Sequence, residues 1–300
     1  WNSAYISYNL LCNYTKNEIP HRIWCNRTSL ELTDLHYMNK YRYKVTDNTL
    51  LTPTVRSVTL SCDNRVRPLL FEPGQYISMS LHDRLRPTTT RCFSVASSPT
   101  NRSSLEVSAR VGGAYTQALE RLNVGDSMVI RGPFGNFILK EHLHPNLVFL
   151  AGGIGITPFM SMIRYASELR LPNTIHLVYS CRSQSDIPYF EELTRLENLN
   201  PNLRVTYAVG DSAIDRLANH RVITGKVTRA TLISIGIGRG DETYMLCGPG
   251  GYLTAMQNLL KSGGVPEGHI FPQAAGRAAG RGLDDPALRP DQHRGEHPAR

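Results

Sequence analysis

The spacing of apolar residues changes near Pro145, and that change limits the fold more than any other feature of this chain. Before it the apolar residues alternate in short runs: YRYKVTDN, SVTLSCD, QYISMSL, RCFSVAS, SLEVSARV and SMVIRG. Pro73-Gly74, Ser98-Pro99 and Gly125-Asp126 supply turn signals between them. Several short strands at this spacing predict an antiparallel barrel or sandwich. After Pro145 the runs LVFLAG, IHLVYS, LRVTYAV and YMLCG are apolar throughout, as strands buried on both faces of a parallel sheet are. Between them Phe159, Met162, Ile163, Ala166 and Leu169 recur at helical spacing, as do Phe190, Leu193, Leu196 and Leu199. Strand and helix in alternation predict a doubly wound α/β sheet.

Four segments follow. Residues 1–40 are polar and aromatic without a sustained period, and no role is assigned to them. Residues 41–143 form the barrel, residues 144–273 the α/β domain, and residues 274–300 an Ala-, Gly-, Arg- and Pro-rich tail expected to be disordered.

The composition, 41% apolar and 19% charged, is that of a globular protein. No run approaches the roughly 18 apolar residues of a membrane span. The chain begins at Trp1, so a start upstream or a processed N-terminus is expected. The six cysteines form no C-x-x-C pair, so neither an iron–sulfur cluster nor another metal site is expected. Their scatter fits a reducing compartment, with Cys12–Cys25 the one pairing considered for a disulfide. The net charge is +8. A solvated basic surface is the plainer reading, and a face that receives an acidic protein partner the sharper one. No basic stripe interleaved with aromatics suggests nucleic acid.

Three motifs carry chemistry. In LVFLAGGIGITPFMSMI a buried strand runs into Gly152, Gly153 and Gly155, and Thr157 and Pro158 open a helix. Glycines let backbone approach a diphosphate, the helix N-terminus offers free N–H groups, and proline suits the first helical turn. The turn is not a full G-x-G-x-x-G, because Pro158 stands at the last glycine. In YMLCGPGGYLTAM a strand ends at Cys247 before Gly248 and Pro249. A thiol there is either a buried structural residue or one that lies against a ligand in the crevice. In RCFSVASSP, Arg91 and Phe93 lie two apart on one strand face, where a cation and an aromatic can hold one ligand; Ser94 projects oppositely unless the strand bends.

Taken in order, R-x-F-S, G-G-x-x-T, A-G-G-x-G-x-T-P and C-G-P resemble the signature of the ferredoxin–NADP reductase-like flavoprotein family, over about residues 41–273. The resemblance implies a Greek-key FAD-binding barrel followed by an NAD(P)-binding domain. It implies that Arg91 meets the FAD diphosphate, that Phe93 stacks on the isoalloxazine, and that Ser94 sits near flavin N5. Gly112, Gly113 and Thr116 would complete the phosphate cradle, and Pro73-Gly74-Gln75 matches a turn that starts a barrel strand. Gly153, Gly155, Thr157 and Pro158 would hold the nicotinamide dinucleotide, with Cys247, Gly248 and Pro249 beside its ring. Ser94 and Cys247 are thus the expected catalytic pair. Arg182, at a strand end, would receive a 2′-phosphate and favours NADPH over NADH, although Asp186 is close in sequence.

One departure stands out. The acid and the aromatic that the family places near its C-terminus correspond here to Gln273 and Ala275. The resemblance implies an FAD-dependent NAD(P)H oxidoreductase that passes single electrons to ferredoxin, flavodoxin, a partner oxygenase or a fused membrane domain. Its setting would be cytoplasmic, or the cytosolic portion of a larger membrane-associated protein. A flavin-containing relay or regulatory subunit that does not use pyridine nucleotide is the alternative.

Overall fold

The structure, a computed structural model, describes residues 40–62, 67–81, 89–210, 215–238 and 240–275. The segment ending at residue 39, with Cys12 and Cys25, and the tail beyond residue 275 lie outside the described residues.

Six antiparallel strands make the first sheet: β1 (Lys40–Thr52), β2 (Val55–Cys62), β3 (Tyr76–Leu81), β4 (Thr89–Ser94), β5 (Ser104–Arg110) and β6 (Ser127–Phe134). Their spatial order is β4-β3-β6-β1-β2-β5, and a Val95–Val107 bridge joins the two outer strands, closing the sheet into a barrel. Alternation dictates the interior: Val58, Leu60, Ile77, Met79, Leu105, Val107, Met128 and Ile130 are all buried in one cluster. Helix α1 (Ala114–Glu120) packs Tyr115 and Leu119 onto the same cluster. The Asn48 side-chain amide donates to Leu119 O, Glu120 O and Leu122 O, satisfying carbonyls at the end of that helix.

The tight turn before β3 has Pro73 at its second position and Gly74 at its third, closed by Gln75 N–H donating to Glu72 O at 3.1 Å. Gly74 has φ +105°, which a type II turn requires at that place. Its missing side chain also admits Phe137 O, 2.2 Å from where a Cβ would stand.

The second sheet is wholly parallel where its pairings are described: β7 (Asn146–Gly152), β8 (Thr174–Cys181), β9 (Leu203–Val209), β10 (Arg221–Thr224), β11 (Thr243–Gly248) and β12 (Ile270–Ala274), in the order β10-β9-β8-β7-β11-β12. The chain builds outward from β7 on one side and returns to add β11 on the other. The direction therefore reverses between β7 and β11, the position at which open α/β sheets bind ligands. Consecutive β7 residues face opposite layers. Phe149 joins Phe159, Ile163, Leu177 and Val205 on one side, and Val148 and Leu150 join Leu246, Leu253 and Met256 on the other.

Helices α2 (Thr157–Glu168) and α3 (Phe190–Leu199) cover the first layer; α4 (Arg229–Ser234) and α5 (Gly250–Ser262) belong to the second. The predicted apolar faces hold for Phe159, Met162, Ile163, Ala166, Phe190, Leu193 and Leu196. They fail at Leu169 and Leu199, which are 49% and 68% exposed because each stands at its helix terminus, past the contact with the sheet. β12 runs through Ala274, one residue into the segment read as tail, and Ala275 N–H donates to Gly248 O at 2.9 Å.

Candidate functional site

The period of two along β4 places Arg91 and Phe93 together. The Arg91 guanidinium lies over the Tyr115 ring at 5.8 Å, and the Phe93 ring centroid lies 5.7 Å from the same ring. Tyr115 is held in turn by its hydroxyl, which donates to Met79 O at 2.6 Å. Cys92, between the two, is exposed on the opposite face. Ser94, half-buried, pairs in register with Tyr76.

The loop before α1 leads within two residues to Tyr115, the ring beneath the Arg91 guanidinium. Gly112 N–H and Gly113 N–H both donate to Thr116 Oγ1, at 3.1 and 3.0 Å, and that hydroxyl donates to Gly113 O. These three residues form a closed loop in which the two glycine amides are already satisfied by Thr116. An added Cβ at Gly112 or Gly113 would meet nothing within 4 Å, so packing does not demand glycine at either position. Open backbone beside an arginine and a half-buried aromatic fits the approach of a phosphate-bearing, ring-bearing group such as FAD.

At the switch point, β7 ends in Gly152 and the chain turns through a short 3-10 segment, Gly153–Ile156, into α2. Gly153 adopts φ +53°, and its carbonyl accepts from the Tyr179 hydroxyl at 3.1 Å. Gly155 is packed so closely on β11 that a Cβ would stand 2.3 Å from Cys247 O. Thr157 Oγ1 donates to Ile154 O, and Pro158 occupies the first helical turn. Across the crevice, the Tyr252 ring lies over both strand ends, 2.8 Å from a Cβ at Gly152 and 2.7 Å from one at Gly248. Pro249 caps α5 in an extended conformation, at φ −60° and ψ 151°.

Cys247 departs from the expectation of a thiol lining the crevice. It is 1% exposed and belongs to the apolar layer beneath the sheet, and burial pushes its thiol up to about 12. At neutral pH it is an undissociated core residue, and thiolate chemistry is closed to it. Its backbone, rather than its sulfur, borders the glycine turn. A groove of about 770 Å³, lined in part by Phe71, Pro99, Arg102 and Leu143, includes neither the glycine turn nor Arg91.

Arg182 is exposed just past β8. Asp186 turns away towards the barrel: it accepts from Thr52 and Thr54 hydroxyls at 3.1 and 2.7 Å and pairs with Arg110 at 2.8 Å. Burial raises its pKa, but these donors outweigh burial and hold the carboxyl below its usual 3.8.

Two family models match this arrangement: an oxidoreductase FAD-binding domain over residues 42–138 and an oxidoreductase NAD-binding domain over residues 149–258. The chain is 30% identical over 253 residues to the phenol hydroxylase P5 protein of Acinetobacter pittii, covering 82% of this chain and 69% of that protein. The chain belongs to the ferredoxin–NADP reductase-like family of FAD- and NAD(P)-binding oxidoreductases. It is also 27% identical over 227 residues to the glycine betaine monooxygenase reductase subunit of Chromohalobacter salexigens, which covers 74% of this chain. The chain spans 60% of that relative's length. The ferredoxin NADP+ reductase of Neisseria gonorrhoeae, with bound FAD and NADP, superposes with a TM-score of 0.66 at 18% identity, covering 79% of this chain and 98% of that one.

Within this reductase family fold, several polar residues at the seam between barrel and α/β domain escaped the sequence reading. Arg164 on α2 donates to Glu106 Oε2 on β5 at 2.7 Å and, through Nε and Nη2, to both oxygens of Glu192 on α3 at 2.8 and 2.7 Å. The Tyr189 hydroxyl donates to Glu106 Oε1 at 2.7 Å, and Tyr189 itself holds the left-handed φ of +60°. No local sequence pattern marks these partners, which lie far apart along the chain. No described helix is long and apolar enough to cross a membrane.

Proposed function

We propose that this chain takes hydride from NADPH onto bound FAD and hands the electrons on, one at a time, to a protein acceptor. The observation that carries the reading is the pairing of Arg91 and Phe93 on one strand face, with open glycine backbone before α1 and a glycine turn at the sheet's switch point. Bound FAD would supply the change from two-electron to one-electron chemistry, which belongs to the cofactor.

The chain's own groups bind and orient. Arg91 offers charge-assisted donors to the diphosphate, and Phe93 an apolar face to the flavin. The Ser94 hydroxyl makes no hydrogen bond to another described residue, which leaves it to a ring nitrogen. Gly153, Gly155, Thr157 and Pro158 shape the turn on which the dinucleotide's phosphates rest, with Gly248 and Pro249 on the other wall. Gly112, Gly113 and Thr116 order the loop beneath the FAD phosphates. The preference for NADPH rests on two facts. Arg182 is exposed at the end of β8, and Asp186, the carboxylate that would otherwise favour a free ribose hydroxyl, is tied to Arg110 and two threonines.

The acceptor is an oxygenase component, as the glycine betaine monooxygenase reductase subunit suggests, or a ferredoxin, a flavodoxin or a redox domain in the same protein, and the setting is cytoplasmic or the cytosolic portion of a larger membrane-associated protein. The basic surface suits an acidic partner.

Two substitutions test these assignments. Arg91→Ala is expected to weaken FAD retention by about 1.5–3 kcal/mol, the worth of a charge-assisted bond. Flavin content on purification and titration of the flavin-free protein read this, and undiminished affinity would remove Arg91 from the site. Arg182→Ala is expected to raise the KM for NADPH about tenfold or more while leaving that for NADH nearly unchanged. Equal effects on both nucleotides would show that Arg182 does not read the 2′-phosphate.

A further inference from the structure

The strand that carries Arg91, Phe93 and Ser94 does not simply end. Val95 makes the bridge to Val107, and its N–H donates to Gln75 O at 3.0 Å. The next two carbonyls leave the barrel and are both taken up by α2. Arg164 Nη1 donates to Ala96 O at 2.8 Å, and Ser161 Oγ donates to Ser97 O at 2.7 Å. The same short stretch is fastened to β5: Ala96 N–H donates to Glu106 O at 2.7 Å, and Glu106 N–H donates to Ser97 Oγ at 3.0 Å. Ala96, Ser97 and Ser98 are all buried, so these bonds are made away from competing water.

The other end of α2 is the glycine turn. Ser161 and Arg164 stand four and seven residues after Thr157, on one face of the helix that the turn opens. One rigid element therefore holds both the exit of the flavin strand and the N-terminus at the switch point. Arg164 is fixed in turn, with its guanidinium shared among Ala96 O, Glu106 and Glu192 and lying 5.3 Å from the Tyr189 ring.

We propose that Ser161 and Arg164 are positioning residues that set the separation between the flavin against Phe93 and Ser94 and the nicotinamide dinucleotide held by the Gly153–Thr157 turn. The proposal rests on the reductase reading above. Neither side chain belongs to either set of residues assigned to the cofactors, so neither is catalytic. Each acts through the backbone of residues 96–97. Hydride transfer needs its two reacting atoms at near-contact distance, and a displacement of about 1 Å can cost on the order of a hundredfold in rate. A helix that links the two sites sets that distance more tightly than domain packing alone.

The test uses the FAD-loaded chain, with Ser161→Ala and Arg164→Lys compared against Asn173→Ala. Asn173 donates to Glu141 O and His144 O, away from this seam, and its variant serves as a control for loss of stability alone. Rapid-mixing reduction by NADPH is expected to show the limiting rate of flavin bleaching falling about tenfold to a hundredfold in Arg164→Lys, and less in Ser161→Ala. Flavin content and the half-saturating NADPH concentration are expected to stay within about threefold of wild type. Because the contacts lie within the chain, a second readout needs no cofactor. Hydrogen exchange of flavin-free protein is expected to lose protection at the amides of residues 95–98 in both variants and not in the control.

Limiting rates equal to wild type, or rates that fall only as far as the control's at matched loss of melting temperature, would overturn the proposal. So would unaltered protection at residues 95–98. A wild-type chain that binds FAD but is reduced by neither nucleotide would instead remove the reductase reading and the proposal with it. The two failures are thereby told apart.

Discussion

Gly155→Ala is expected to cost about 3 kcal/mol of stability, or roughly 6–12 °C in melting temperature for a chain of this size. The added methyl would stand 2.3 Å from Cys247 O, 2.5 Å from Cys247 C and 2.7 Å from Gly248 N. All three are backbone atoms of β11, which is itself paired to β7 and β12 on its two sides, so no flexible side chain can move aside. Relief requires the glycine turn to lift from the strand, which would also displace the N-terminus of α2. Nucleotide affinity should therefore fall together with stability. Gly250→Ala is the matched comparison, since a methyl there meets nothing within 4 Å. Thermal melts of both variants check the expectation. A Gly155→Ala protein that melts with wild type would mean that the turn is not seated on β11.

Arg164→Met is expected to destabilise the chain by about 3–5 kcal/mol, because it leaves Glu106, Glu192 and Ala96 O without their shared donor in a largely buried seam. Most of that cost is the desolvated charge left behind rather than the net worth of the ion pairs. The triple variant Arg164→Met, Glu106→Gln, Glu192→Gln should accordingly be more stable than the single one. Urea unfolding at neutral pH measures both. A loss under about 1 kcal/mol in the single variant would place this network with exposed ion pairs of little consequence.

Much of the fold was legible because burial was one-sided. Every predicted barrel strand is found, since a barrel wall must alternate and the alternation is written in residues such as Val58, Leu60, Ile77 and Met79. The two strands that the sequence reading passed over are both sheet edges. β10 is four residues long, and β12 carries Pro272 in its middle, which an edge strand tolerates because one side needs no ladder bond.

Arg91 and Phe93 could be placed together from a period of two, and their shared approach to Tyr115 follows from it. The same argument was silent at Cys247. β11 is buried on both faces, so no alternation records which way the sulfur points. The seam was illegible for a different reason. Glu106 meets Arg164 across 58 positions and Thr52 meets Asp186 across 134, and no local pattern announces partners so far apart. Asp186 is the instructive case: its closeness to Arg182 in sequence suggested a shared ribose site, whereas its bonds run to the barrel.

Whether this chain holds FAD and reduces it with NADPH is read most directly from the visible spectrum of the purified protein under anaerobic conditions. The expected result is a flavin spectrum, present on purification or after adding FAD, that bleaches on addition of NADPH and does so faster than with NADH. A flavin that stays oxidised with both nucleotides would contradict the reductase reading and favour a relay subunit. A colourless protein that takes up no FAD would contradict the account at its root.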